Sequence, residues 1–297
     1  MAPLRLGPHS LEGDAPILLQ VEAGVTHCGN LRKALALAEA AAAAGFQVYK
    51  AQVCDPDKLL ADASLPFTDD RGDTYPIGVA LESVGRFSFD EWRALRDHCH
   101  AHGLTFYATA DYLEGVDLLE ALGVPAHKAC AHDLTYLPLL AAMRATGKPV
   151  LYDLGPATAD EEAAAWAVLD PVGIPMHSPH PTPAGDWQMA RLREFQSVYE
   201  VWGYSSPDRR VAGDFAAVGL GARILEKRLT LNRADPDGHH HTIALEPDEA
   251  RDWVREIRAL EAAFREDAWG YGSPTQQTEM GKWRRHPSDW KRPLARP

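Results

Sequence analysis

Short apolar runs alternate with amphipathic, alanine- and leucine-rich stretches along most of this chain. The runs fall at Ile17–Glu22, Val48–Gln52, Thr105–Thr109, Ala126–Ala129, Pro149–Tyr152, Gly173–His177, Val201–Tyr204 and Ile224–Leu225. Each reads as a buried strand, short and apolar, that gives way to polar sequence. The stretches between them read as helices: Leu31–Ala44, Phe89–His102, Gly115–Leu122, Tyr136–Ala145, Ala159–Leu169, Trp187–Tyr199, Asp214–Leu220 and Pro247–Phe264. Gly45 and Gly103 close the first two helices, and Ser88 or Asp90 opens the second. Eight strand–helix repeats in about 250 residues predict an α/β fold, a closed (β/α)8 TIM barrel, over an open sheet. The barrel is expected over 16–268, after a leader at 1–15 without periodicity and before an arm at 269–297. Trp269, Trp283 and Trp290 are expected to anchor that arm or to contact a second copy in a homodimer. One stretch breaks the alternation. Cys54–Ser88 is long and polar, suits no compact helix, and reads as a lid or an insert.

The 297 residues are 45% hydrophobic, enough for one substantial core. A formal charge of −12 argues against nonspecific nucleic-acid binding and against an anionic membrane surface. Any anion must therefore be captured by local cations. Cys28, Cys54, Cys99 and Cys130 form no CxxC pair, and no long apolar segment opens the chain. These features predict a reduced, cytoplasmic protein.

In such barrels the reacting groups sit at the C-terminal ends of the strands. Those ends carry Glu22, Lys50 with Gln52, Thr109 with Asp111, Lys128, Asp153, His177 with His180, Ser205, and Glu226 with Arg228. Singly, each has a plain reading as a solvated charge or a helix cap. Together, cations and carboxylates on one rim describe a preorganised polar pocket for a small anionic substrate. No P-loop and no GxGxxG is present, so a nucleotide cofactor has no support, and none of any kind is expected. The triplet in GHHHT at Gly238–Thr242 cannot face one ion from a strand, because successive side chains alternate. A solvated loop is the first reading, and a rebuilt metal site with His177 or His180 the second.

At these residues the chain resembles the sialic acid (N-acetylneuraminate) synthase family. VEAGVTHCGN at Val21–Asn30 is similar to that family's AEIGxNHxG opening, and YKAQ at Tyr49–Gln52 to its VKxQ. ATADYLEGVDLLEALGVPAHKA at Ala108–Ala129, TGKPVLYDLG at Thr146–Gly155 and HPTP at His180–Pro183 follow in order. GYSSPD at Gly203–Asp208, LGARILEKRLTLNR at Leu220–Arg233 and ALEPDE at Ala244–Glu249 complete the run. The resemblance implies a barrel that condenses phosphoenolpyruvate with a sugar aldehyde. The antifreeze-like domain usual after such barrels is expected to be absent.

The resemblance also implies a divalent metal held by two histidines, but their positions carry Pro207 and Arg228. Proline has no donor side chain, and guanidinium is not an ordinary ligand. The serines that the resemblance assigns to phosphate correspond to Ala131 and Asp153, and the sugar-facing tyrosine to His180, two residues after Ser178. Glu22, Lys50, Gln52, Thr109, Lys128, Ser205, Glu226 and Lys227 match. His240 falls on the last active-site loop. The expected protein makes or breaks a carbon–carbon bond at a carbonyl of a sugar-like anion, as a transferase or lyase lacking the metal site. Lys50, Lys128 and Arg228 would bind anionic oxygens, Glu22 and Glu226 orient hydroxyls or water, and Asp153 or His180 move a proton. Gln52, Thr109, Asp111, His177, Ser178, Ser205, Lys227 and His240 would bind substrate. The alternatives are metal-free condensation with phosphoenolpyruvate and a noncatalytic sugar-acid binder.

Overall fold

The computed structural model describes residues 4–82, 84, 87–179, 186–264 and 274–285. Eight parallel strands close into a barrel: β1 (Leu18–Glu22), β2 (Val48–Val53), β3 (Thr105–Ala110), β4 (His127–Ala129), β5 (Val150–Leu154), β6 (Gly173–His177), β7 (Gly203–Ser205) and β8 (Ile224–Arg228). Each strand pairs with its sequence neighbour, and β8 closes the ring against β1. The helices between them are α1 (Leu31–Ala44), α2 (Phe89–Ala101), α3 (Leu113–Leu122), α4 (Leu137–Ala145), α5 (Ala159–Leu169), α6 (Arg191–Val198), α7 (Ala212–Gly219) and α8 (Pro247–Ala263). Local chemistry sets their ends. The Asn30 side chain accepts from the backbone N–H groups of Arg32 and Lys33, and Gly45 closes α1 at φ 96°, where a side chain would be strained. Capping boxes start α2 at Ser88–Glu91 and α5 at Thr158–Glu161. β8 runs three residues beyond the apolar pair that signals it, because Glu226 and Arg228 point into a polar interior.

Side chains alternate between that interior and the helix layer, and β8 shows the consequence most clearly. Glu226 points inward, whereas Lys227 points out toward α7 and α8. There its ammonium donates to Asp214 Oδ2, Ser206 Oγ and the carbonyl of Arg210, each at 2.7 Å. Trp253 Nε1 donates to the same Asp214 oxygen at 2.8 Å. Lys227 is therefore a buried strut between strand and helices, not the substrate ligand expected of it. His177 also faces outward. Its Nε2 donates to the carbonyl of Trp187 at 2.9 Å, and its ring packs on Phe195 and Tyr204. Side-chain alternation, on β8 for Lys227 and on β6 for His177, removes both residues from the barrel interior.

Residues 5–10, within the stretch expected to be a leader, form a hairpin that pairs Arg5–Leu6 with His9–Ser10. It buries Leu6 completely, and His9 Nε2 lies 3.1 Å from Thr105 Oγ1 at the start of β3. The polar insert after β2 is ordered as well. It holds short helices at Pro56–Leu59 and Ile77–Glu82 around a hairpin of Pro66–Thr68 and Thr74–Pro76. Its tip docks on the loop after β8. Asp70 accepts from the backbone N–H of His240 at 2.6 Å and of Thr242 at 2.8 Å. Arg71 donates to the carbonyls of Asp235, Pro236 and Gly238.

A second compact unit begins at Arg258 and holds, among the described residues, the end of α8 and a helix at Pro274–Trp283. Trp283 is exposed, and Trp269 and Trp290 lie outside the described residues. No helix of the described residues is long and apolar enough to cross a membrane. The four cysteines are free thiols.

Removing one partner of the Lys227–Asp214 pair strands a buried charge, so Lys227→Ala should cost about 3–5 kcal/mol. Urea unfolding measures this, and a loss under 1 kcal/mol would contradict the strut.

Candidate active site

Glu226 is the centre of the barrel's polar interior. Its two oxygens each lie 2.8 Å from Lys128 Nζ. Oε1 also accepts from Ser205 Oγ at 2.8 Å and stands 3.7 Å from Lys50 Nζ. Oε2 accepts from Gln20 Nε2 at 2.5 Å, and Gln20 Oε1 in turn accepts from Tyr107 OH at 2.8 Å. Lys50 pairs with Glu22 and reaches Thr109 Oγ1 at 3.4 Å. Lys128, with no exposed surface, lies 3.1 Å from Asp153 Oδ1. Glu22 Oε1 accepts from the Gly24 N–H at 2.6 Å. A Cβ on Gly24 would stand 2.6 Å from that oxygen, so only glycine lets the chain fold back on the carboxylate.

These contacts divide the acids by role. Burial opposes the charge of Glu226, but Lys128, Lys50 and the hydrogen bonds of Lys128 and Ser205 outweigh it and hold its carboxyl well below the ordinary range. Asp153 moves the other way. Burial raises it, Lys128 opposes only in part, and the charge of Glu226 adds to the rise. Lys50 loses by burial yet ends above its usual value, because Glu22, Glu226 and Asp153 surround it. Glu226 is thus held as the anion, and Asp153 is pushed toward its protonated form.

Other predicted residues form the rim. Gln52 Nε2 donates to Asp111 Oδ2 at 3.1 Å. Burial, with Asp133 adding to it, pushes Asp111 up to about 7. Arg228, paired in register with Glu22, donates from Nη1 to His240 Nδ1 at 2.7 Å, and its Nε is buried without a partner. Ser178 is half-buried just past β6, and His180 lies outside the described residues. Two of the three histidines are buried and the third, His240, is half-buried. His239 packs edge-on against Phe67, and His241 is enclosed by Thr230 and Cys28.

Sequence reasoning missed Gln20 and Tyr107. The signal was available for Gln20, a polar residue two before Glu22 in an apolar run and so on the same inward face. The two-histidine metal site that the resemblance implies fails a test of its donors. Pro207 is buried with no donor atom, and Arg228 already donates to His240. These residues do not fit a metal ion.

A closed eight-stranded parallel barrel whose inward strand ends carry a buried cluster of lysines and carboxylates has the layout of a TIM-barrel enzyme. Residues 37–268 match the NeuB family, and the chain belongs to that family. It is 27% identical over 291 residues to the spore coat polysaccharide biosynthesis protein SpsE of Bacillus subtilis, covering 95% of this chain and 76% of that one. It is 28% identical over 276 residues to the N-acetylneuraminate-9-phosphate synthase of Homo sapiens, covering 89% and 74%. In fold it is similar to the N-acetylneuraminic acid synthetase of Leptospira borgpetersenii serovar Hardjo-bovis, with a TM-score of 0.80 at 23% identity over 93% and 94% of the two chains.

Two outcomes test this geometry. Gln20→Leu leaves Tyr107 OH unpaired and takes one of its two donors from Glu226 Oε2, which Lys128 still holds, and should cost about 1–3 kcal/mol. Adding Tyr107→Phe should cost less than the sum, which a double-mutant unfolding cycle measures. The second outcome concerns pH. Burial lowers His27, His177 and His239 each to about 4, so the folded state prefers them neutral. Their contribution is complete above the unfolded value of about 6.5 and is lost as pH falls through about 4. His177→Phe should make that decline shallower in urea midpoints measured across the range, and an unchanged slope would refute the assignment.

Proposed function

We propose that this protein makes or breaks a carbon–carbon bond at the carbonyl of a sugar-like or polyhydroxy anion, without the two-histidine metal site. The carrying observation is the buried cluster of Lys50, Lys128, Glu22 and Glu226 in a barrel whose rim holds Arg228 with an unused Nε. Buried ions cost several kcal/mol each before pairing, and apolar residues fill a barrel core at no such cost. A pocket built this way is built for charge.

In this reading Lys50, Lys128 and Arg228 bind anionic oxygens. Arg228 occupies the position of a family histidine and polarises the carbonyl or clamps a carboxylate bidentately. In the forward direction a nucleophilic carbon adds to the carbonyl carbon, and the C=O electron pair passes to oxygen. That oxygen takes a proton from Asp153, whose raised pKa suits the task, or from His180. Cleavage runs the same steps backward. Glu22 and Glu226 orient hydroxyls or water. Gln52, Thr109, Asp111, Ser178, Ser205 and His240 complete the substrate's surroundings, and a homodimer is the proposed assembly.

One observation favours a second reading. Lys128 stands beside Asp153 and partly neutralises it, which weakens its repulsion of a phosphate and keeps phosphoenolpyruvate condensation open. Where the resemblance implies a serine hydroxyl, an unneutralised carboxylate removes a donor and adds a like charge. That costs about 2–4 kcal/mol, a factor of roughly thirty to a thousand in affinity.

Calorimetry with phosphoenolpyruvate on the wild type and on Asp153→Ser separates the readings. The expected result is weak binding that the substitution improves. Micromolar binding that the substitution weakens would install the second reading. Sugar aldehydes and sugar acids assayed by mass spectrometry test turnover itself, and binding without turnover would make the protein a sugar-acid binder.

A further inference from the structure

A second group of ligand-type side chains lies where β3 and β4 run out, apart from the Glu226 cluster. Asp111 follows β3 directly, Cys130 follows β4, and His132 and Asp133 belong to the 3-10 turn Ala131–Asp133. The Cys130 thiol donates to Asp133 Oδ2 at 2.9 Å and lies 3.8 Å from His132 Nδ1. One oxygen of Asp111, Cys130 Sγ and one oxygen of Asp133 lie within 4.8 Å of one another. Asp111 is 5% exposed. Its Oδ2 is taken by Gln52, and its Oδ1 is buried with no hydrogen-bond partner.

Among the described residues neither Asp111 nor Asp133 forms an ion pair with a lysine or arginine. Two carboxylates and a thiol therefore converge without a paired positive charge, and one buried oxygen is unsatisfied. A buried acceptor left without a donor opposes folding. A bound cation would remove both defects.

We propose that this corner binds a thiophilic divalent cation of the zinc type, with Cys130 Sγ, Asp111 Oδ1 and an Asp133 oxygen as ligands. His132 Nδ1 is within reach as the fourth. Metal–ligand distances of about 2.0–2.3 Å around a tetrahedral ion place neighbouring donor atoms about 3.5 Å apart. The observed 2.9 Å and 3.8 Å bracket that spacing, so closing the shell needs only small side-chain shifts. A thiolate with imidazole selects zinc or cobalt over magnesium or calcium, which take all-oxygen shells. Binding expels the thiol proton to solvent and forms the metal–sulfur bond. The ion would fix Asp111 and, through Gln52, one wall of the pocket.

Two other groupings carry less. Cys28, Asp235 and His241 also lie close together, but Cys28 Sγ and His241 Nε2 both reach the carbonyl of Asp237, at 3.0 and 2.8 Å. Lys33 holds Asp235 at 2.7 Å, so that trio is satisfied without an ion. Glu39, His98 and His102 lie on the outer surface, with Glu39 and His102 exposed and nothing to enclose an ion.

Cobalt(II) titrated into the chelator-treated full chain provides the test. The expected result is a single ion per chain and a thiolate-to-cobalt charge-transfer absorption, with zinc displacing it. Cys130→Ser should abolish the absorption, Asp111→Asn and Asp133→Asn should weaken binding, and Cys28→Ser should leave both unchanged. Circular dichroism checks that each variant is folded. If Cys130→Ser does not fold, the two Asn variants decide: unweakened binding in both overturns the proposal. So does a folded wild type that binds no stoichiometric ion, or an absorption that survives Cys130→Ser and vanishes in Cys28→Ser.

Discussion

The carboxylate of Glu226, held between two buried lysines, is the constraint on which the rest of this barrel depends. A Lys128 ammonium with no exposed surface is tolerable only because Glu226 meets it with both oxygens and Asp153 stands beside it. That requirement fixes the register of β8 against β1, since Gln20 must reach Glu226 across the seam where the barrel closes. It also fixes Ser205 opposite Glu226 on β7. The barrel therefore closes around a polar contact as well as an apolar one, and the network selects one arrangement of strands.

Much of the fold was legible because repeating strand–helix alternation is a long-range signal that survives errors at single boundaries. Leu31–Ala44 and Ala159–Leu169 are helices over the spans that their composition and caps indicate. β8 was cut short for a physical reason. Glu226 and Arg228 read as the end of an apolar run, yet they are the strand's inward face. The insert at 54–88 was illegible because its order comes from a partner loop about 170 residues away, not from local periodicity. The same docking packs Phe67 on His239, one of two buried histidines in a triplet that looked solvated.

Site residues divided along the same line. Those identified by strand-end position on the inward face, such as Glu22, Lys50, Lys128 and Glu226, do come together. Lys227 matched by position in a motif and His177 was named for its strand end, but alternation turns both toward the helices. A motif match gives the strand, and parity gives the face. The corner of Asp111, Cys130 and Asp133 was hidden for another reason, since its parts come from two strand ends and a turn that share no sequence pattern.

The Asp70 clasp has a consequence for the order in which the molecule is assembled. Its carboxylate grips backbone at His240 and Thr242, 170 and 172 residues further along the chain. Loop closure over such a span yields nothing until the intervening strands have been laid down, so the clasp forms late. A chain still emerging from the ribosome can pair its first strands, but the insert has nothing to hold until β8 and the loop after it arrive. The insert's grip on the loop beside Arg228 is thus completed only after β8 is in place. A protease acting on the insert would in effect report whether the barrel had closed.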